Sequence, residues 1–513
     1  MMNSHIALKP LPTSPCQGRA GEGFPGGARY LGLPRQKTAN LIATLASILI
    51  PALLLPLAWH FHHPLLYGLR HLETPLLVGL PLWILIHRFH ARRTLSRRQH
   101  LRHSRAGGNP EDRLAAPPAA LDSRLRGNDV KRSPASTALW ALVLLVTLAR
   151  GVEYRLQRDT VLAAGPSMQA VGQHFIVGYD DFDEVRELAA KGLIGGIYIG
   201  KRNVRGRSFD EVAAEIAELQ AIRRRAELPP LIVAADQEGG PVSHLSPLLE
   251  ALPPLASLND APDPAGAART YGERQGRGLA ALGVTLNFGP VVDLKPPGRA
   301  SEDKLSNIPA RAIASNPAQV ETIAAAYLDG LAAQGVSGTL KHFPGLGRVR
   351  ADTHLHPATL DQAPAQLTTD WQPFRQLGQR AGSTIMLGHV TLATLDPEHA
   401  ASHSPAVVEL LREHWGYDGL LLTDDLNMGA VYRLGIGRVA GEALAAGIDF
   451  VLVTYDPRQV YRALYGAAQA LEKREITPAR LAESQSRLAA WQSTRTVLAA
   501  KPSPKLASLP RHG

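Results

Sequence analysis

The chain has 513 residues, a formal net charge of +10 and a single cysteine, Cys16. One thiol excludes any disulfide within the chain, and the length suits a large α/β barrel with appended segments better than one small domain. The positive charge is uneven. The N-terminal third is rich in arginine beside apolar runs, a pattern of membrane topology rather than of nucleic-acid binding.

Residues 1–36 are rich in proline and glycine without a period, and read as a disordered, basic N-terminus. Residues 37–150 read as a membrane region. Its first apolar run, ANLIATLASILIPALLLPLAW at 39–59, carries no charge and is about as long as a crossing of the hydrocarbon core requires. Two shorter runs follow, TPLLVGLPLWILIH at 74–87 and ASTALWALVLLVTLA at 135–149. Tilt or local thinning of the bilayer brings such lengths into range. The low-complexity loop between them, 88–134, opens with RFHARRTLSRRQHLRHSR, which has seven arginines and no carboxylate. A loop of this kind stays in the cytoplasm. With three spans, everything after Arg150 then lies in the periplasm, on an inner membrane; with one span fewer it lies in the cytoplasm. Residues 151–170 read as a linker.

From Val171 the texture changes. Eight short apolar runs recur: HFIVGY (174–179), IGGIYIG (194–200), PLIVAADQE (230–238), TLNFGPVVDL (285–294), VSGTLKHFPG (336–345), STIMLGHV (383–390), GLLLTDDL (419–426) and DFVLVTYD (449–456). The segments between them, such as SFDEVAAEIAELQAIRRRAE, have helical period and helix-start residues. Apolar strands alternating with helices imply a parallel sheet. Eight such units predict a closed (β/α)₈ TIM-type barrel over 171–497, with a polar tail at 498–513. An open doubly wound sheet is the alternative, but no GxGxxG opens a helix after the first strand.

In such a barrel the chemistry gathers where strands end and the following loops begin. The third run ends in Asp236-Gln237-Glu238-Gly239-Gly240, and the fourth contains Asn287 and ends near Asp293. The fifth holds Lys341-His342, the sixth His389, and the seventh Thr423-Asp424-Asp425. No HExxH, Cys/His cluster, EF-hand loop or phosphate-cradling GxxxxGK[ST] is present. Carboxylates, imidazoles, a lysine and arginines suit hydrogen bonding to a polyol and acid–base or nucleophilic work on it. Sugar hydrolysis needs one group at the anomeric carbon and another to protonate the leaving oxygen. Asp424, at the end of an apolar strand, suits the first task. No second carboxylate is evident for the second, but Asp352-Thr353-His354 offers a histidine that a carboxylate would orient and make more basic.

Together GQHFIVGY, GGIYIGKRN, DQEGG, NFGPVVDL, the arginine of IPARAIASNP, KHFPGLG, DTH, LTDDLNM and AGIDFVL resemble glycoside hydrolase family 3, in its β-N-acetylglucosaminidase branch, over residues 171–487. The resemblance implies a retaining double displacement with Asp424 as nucleophile, Asp425 as its positioning neighbour, His354 as acid/base and Asp352 as its partner. It carries sugar-hydroxyl contacts to Asp236, Arg311, Lys341 and His342, and less closely to His389. It implies a terminal β-linked GlcNAc from peptidoglycan fragments as substrate and no metal or other cofactor. The partners expected are this glycan and, through the N-terminal helices, membrane lipid. No nucleic acid is expected, and the oligomeric state stays open. A phosphorylase and a non-catalytic glycan-sensing membrane protein are the alternatives.

The chain departs from the family pattern at three places. Leu346 stands where KHFPGHG has its second histidine, and the two arginines of DQEGGRVxR are Pro241 and His244. A neutral imidazole lacks the fixed charge and fork of arginine. These changes bear on substrate preference and on the placing of the loop, whose residues 343–350 read as a flexible approach to Asp352 and His354.

Overall fold

The computed structural model describes residues 35–60, 72–90, 93, 134–295 and 305–500. Of the N-terminus expected to be disordered, 1–36, residues 1–34 fall outside the described residues, as do most of the basic loop and the polar tail, while 35 and 36 belong to the helix Arg35–His60.

All eight apolar runs contain strands. They are β1 (Phe175–Val177), β2 (Gly196–Tyr198), β3 (Ile232–Ala235), β4 (Leu286–Asn287), β5 in two segments (Ser337–Gly338 and Leu340–Phe343), β6 (Thr384–Leu387), β7 (Leu420–Asp425) and β8 (Phe450–Val453). Neighbours pair in parallel, with β1 between β2 and β8. The first segment of β5 pairs with β4 and the second with β6. The sheet therefore comes round on its own fifth strand, split at Thr339, as a TIM-like barrel. This placing of β1 in mid-sheet, with both ends of the sheet on one strand, sets the open alternative aside.

The strands read as unbroken apolar runs because both faces are buried. Ile176, Ala234, Leu286, Met386, Leu422, Phe450 and Leu452 pack together in one cluster, while Phe175, Val177, Val233, Ala235, Ile385, Leu421, Val451 and Val453 pack with the surrounding helices in another. Those helices begin at side-chain caps that satisfy their free N–H groups. Asp181 caps Phe182–Ala190, Ser208 forms a capping box with Glu211 at Phe209–Arg225, and Asn316 caps Pro317–Ala332. The last helix, Pro478–Ala500, crosses the end where strands begin. Its Arg487 and Arg495 bind residues that precede strands, Asp449 and the Gly335 carbonyl, and Trp491 between them joins the first cluster.

The N-terminal region departs from expectation. The apolar run at 135–149 lies inside a longer helix, and the segment read as a linker at 151–170 is mostly helical. One helix runs unbroken over Pro134–Leu162, and a short helix, Pro166–Gly172, leads into β1. Beyond Arg150 the residues become polar, but Tyr154 and Val161, seven positions apart on one helical face, pack against the barrel. Among the described residues, Pro134–Leu162 is the one helix long and apolar enough to cross a membrane, and Leu45–His60 is a shorter apolar stretch.

Asp449 ties two strands to the closing helix. Its carboxylate accepts from Arg487 Nε (2.9 Å), Arg412 Nη2 (2.7 Å) and the Leu421 N–H (2.8 Å) in a site without solvent contact. Asp449→Asn leaves two mostly buried guanidinium groups short of a counter-charge and is expected to cost about 3–5 kcal/mol. Denaturant unfolding measures this, and an unchanged midpoint would contradict the role given to Asp449.

Candidate active site

The strand ends surround a cavity of about 190 Å³ lined by, among others, Asp236, His244, Arg311, Lys341, His342, His354, Asp424 and Asp425. Seven of the eight residues predicted for the site are at or beside this cavity; His389 is set back from it.

Two carboxylates and two cations form the cavity floor on the β3–β5 side. Lys341 Nζ is 2.7 Å from Asp236 Oδ1 and 2.6 Å from Glu238 Oε1. Arg311 grips Glu238 with two donors, Nε to Oε2 at 3.0 Å and Nη2 to Oε1 at 2.6 Å, and its Nη1 donates to the Ser306 carbonyl at 2.8 Å. Burial opposes charge on all four groups, but their mutual attraction prevails. It holds Asp236 down to about 2 and Glu238 below its usual range, and raises Lys341 and Arg311. Glu238 was not singled out from sequence. Its position inside DQEGG was the available signal, but its partner lies 73 residues away.

Asp293 is a second residue that sequence reasoning left without a role. It is fully buried at the end of the loop after β4 and accepts from the His342 N–H, from His342 Nδ1 at 2.8 Å and from the Leu346 N–H at 2.8 Å. His342 Nε2, on the other side of the ring, is 3.5 Å from Arg311 Nη2.

The loop after β5 brings in the predicted pair. Asp352 Oδ1 accepts from the His354 N–H at 3.0 Å and from His354 Nδ1 at 2.9 Å, while Oδ2 accepts from the Leu305 N–H at 2.9 Å. Burial pushes Asp352 up, but these donors bring it below its usual range. The His354 ring remains 40% exposed, so its far nitrogen is accessible. The loop is also docked on the turn after β7: the Gly429 N–H donates to the His354 carbonyl at 2.7 Å and the Ala430 N–H to that of Thr353 at 3.2 Å.

Residues 343–350 are not the flexible approach expected. Phe343 is buried among Trp371, Phe374 and Trp415, with ring centroids 5.5–5.6 Å apart. Trp371 Nε1 donates to the Pro344 carbonyl, Leu346 N–H to Asp293, and Arg348 Nε to Asp370. Leu346 is itself buried in the core, so a leucine serves here as packing.

On β7, Asp424 and Asp425 have opposite surroundings. Asp425 accepts from the N–H and Nδ2 of Asn427, the N–H and Oγ1 of Thr454 and the N–H of Tyr455, and burial pushes its carboxyl up. Asp424 accepts from the Asp425 N–H at 2.8 Å and otherwise faces the cavity. Burial pushes it up too, but the imidazoles of His342, His389 and His354 outweigh this and hold it below its usual range. His389, expected as a weaker sugar contact, does not line the cavity. It is buried, with Nδ1 against Ser402 Oγ at 2.7 Å and Nε2 donating to the Asp425 carbonyl at 2.9 Å, and burial pushes its imidazole below the usual range. It holds the β7 backbone from behind. His244 reaches the cavity through Nδ1, 2.7 Å from the Tyr198 hydroxyl, which donates to Asp236 Oδ2 at 3.0 Å.

Comparisons with known proteins match the same part of the chain. Residues 167–490 match the model of the glycosyl hydrolase family 3 N-terminal domain. The chain is 34% identical over 316 residues to a beta-hexosaminidase of Xanthomonas oryzae pv. oryzae, covering 60% of this chain and 88% of that protein. It is similar to the solved family 3 beta-N-acetylglucosaminidase of Paenibacillus sp. str. FPU-7, with a TM-score of 0.59, 32% identity and coverage of 66% of this chain and 64% of that one. A beta-N-acetylhexosaminidase structure from Beutenbergia cavernae gives a TM-score of 0.57 at 29% identity, covering 64% of this chain and 99% of that one.

Asp236, near 2 when folded against 3.8 unperturbed, contributes stability that is complete above about pH 4 and lost as pH falls toward 2. Asp236→Asn is expected to remove on the order of 2 kcal/mol of that acid-side loss. Unfolding free energies measured across this window test it, and a variant that keeps the full wild-type slope would disprove the assignment.

Proposed function

The chain belongs to glycosyl hydrolase family 3 and is an O-glycosyl hydrolase, and on that premise we propose that it is a membrane-attached, retaining exo-β-N-acetylglucosaminidase acting on terminal β-linked GlcNAc of peptidoglycan-type glycans. The observation that carries the reading is the convergence, in one cavity, of an ionised carboxylate on a rigid strand with a carboxylate-bound, accessible imidazole.

In this reading Asp424 attacks the anomeric carbon as the bond to the leaving oxygen breaks. His354, protonated on both nitrogens, gives its outer proton to that oxygen. Asp352 keeps the inner proton on Nδ1 and stabilises the imidazolium. Water then enters; His354 takes its proton, the oxygen bonds to the anomeric carbon, and Asp424 leaves as a free carboxylate. Lys341, Arg311, Asp236 and His342 hold sugar hydroxyls. His244 and Tyr198 make that wall less cationic than two arginines would.

Membrane attachment is supported by the apolar helix Pro134–Leu162 and by large apolar side chains exposed on all the N-terminal helices, among them Ile42, Leu53, Trp83 and Leu145. With the arginine-rich loop in the cytoplasm, the barrel lies in the periplasm on the inner membrane.

The full chain in detergent is expected to release nitrophenol from a nitrophenyl β-N-acetylglucosaminide. Asp424→Ala should abolish turnover, and His354→Ala should lower kcat/KM about 10²–10⁴-fold. Normal turnover in both variants would end the site assignment. A periplasm-dependent phosphatase fused after Gly165 should be active in cells, and an inactive but intact fusion would place the barrel in the cytoplasm.

A further inference from the structure

We propose that the mouth of the active site is turned toward the membrane that holds the apolar helix, so that the enzyme acts on terminal sugars of glycans carried by membrane lipids. This rests on the glycosidase and membrane-attachment readings above, and it follows from two separate observations.

The first is the direction of the helix. In a barrel of this kind each outer helix starts at the rim where strands end and descends to the opposite end. Pro134–Leu162 descends in the same sense. Tyr154 lies against Tyr461 in the first turn of Gln459–Glu472, with ring centroids 6.1 Å apart, and the Arg462 guanidinium sits 5.7 Å from its ring. One turn later Arg158 is 5.3 Å from the Tyr461 ring and 3.8 Å from Glu184, in the first turn of Phe182–Ala190. At its end, the Leu162 carbonyl accepts from Lys191 Nζ at 2.8 Å, just past the last turn of that same helix. The helix thus passes from the catalytic rim at 154 to the opposite end at 162. Followed backwards at about 1.5 Å per residue, the apolar residues 141–149 lie roughly 8–20 Å beyond Tyr154, on the catalytic side. The helix is unbroken over this length, so there is no hinge to turn the barrel away.

The second observation concerns the rim itself. Among the described residues after Val171, five large apolar side chains are exposed, and only Val497 lies away from the mouth. The other four are Leu305 (59%), Leu355 (39%), Leu434 (44%) and Tyr455 (54%), on the loops that follow β4, β5, β7 and β8. Arg350 and Arg433 are exposed on two of these loops. Apolar tips with cations between them suit the boundary between anionic headgroups and acyl chains. Soluble glycan fragments require no such edge, whereas a sugar held a short distance above a bilayer requires the mouth to come down to it.

The test uses the full chain with Cys16→Ser, reconstituted in phosphatidylethanolamine/phosphatidylglycerol vesicles that contain spin-labelled lipid. A polarity-sensitive fluorophore is attached in turn to Leu145→Cys, Leu434→Cys and Gln379→Cys, the last at the end opposite the mouth. The expected result is quenching at 145 and 434 and none at 379. Quenching at 145 alone would overturn the orientation while leaving attachment intact. No quenching at 145 would overturn attachment and the proposal with it. In parallel, Leu355→Ser with Leu434→Ser should lower kcat/KM about tenfold on a vesicle-borne glycolipid ending in β-linked GlcNAc, with the soluble nitrophenyl substrate unaffected. An equal loss on both substrates would assign these leucines to the sugar site and overturn their membrane role.

Discussion

The site depends on two cations that could not remain charged where they are without two carboxylates beside them. Lys341 and Arg311 have almost no access to water, and the same is true of Glu238. Each charge alone would cost several kcal/mol to desolvate. Together they form a neutral group whose members compensate one another, and the guanidinium plane is fixed by acceptors on both edges. The group spans the ends of β3 and β5 and the loop after β4, so its geometry is also that of the rim. The positions of these polar groups are set when the barrel folds.

The two neighbouring aspartates of β7 show how position along a strand divides roles. Successive side chains leave a strand on opposite sides. Asp425 turns into donors on the turn after its own strand and on the loop after β8, and becomes part of the frame. Asp424 turns into the cavity and keeps its second oxygen free of such partners. His389 belongs with the frame, since it steadies the carbonyl that joins this turn to the barrel.

The barrel was legible because strands buried on both faces leave continuous apolar runs, and all eight runs hold a strand. The Asp352–His354 contact was legible because it is local, two residues apart. What stayed hidden was non-local. Nothing near Glu238 indicates Arg311, and nothing near Asp293 indicates that it would hold both His342 and the Leu346 N–H. His389 looked like a ligand-binding strand end, because Ser402 and the Asp425 carbonyl, which use up its nitrogens, come from elsewhere in the chain. The helix around the third apolar run extends past it, for a different reason. Hydropathy marks where a helix is greasy, not where it ends, and past Arg150 the same helix changes its surroundings from apolar cluster to barrel.

The hydrogen bond from the Gly429 N–H to the His354 carbonyl has a consequence for how such a site can vary. A side chain at 429 would place its first carbon 2.6 Å from the Leu355 carbonyl oxygen and 2.9 Å from that of His354. The loop that carries His354 is therefore seated on the main chain that continues from Asp424, and the two residues share one mechanical support. A side chain at 429 would thus disturb the seat of the His354 loop and the turn after Asp424 together.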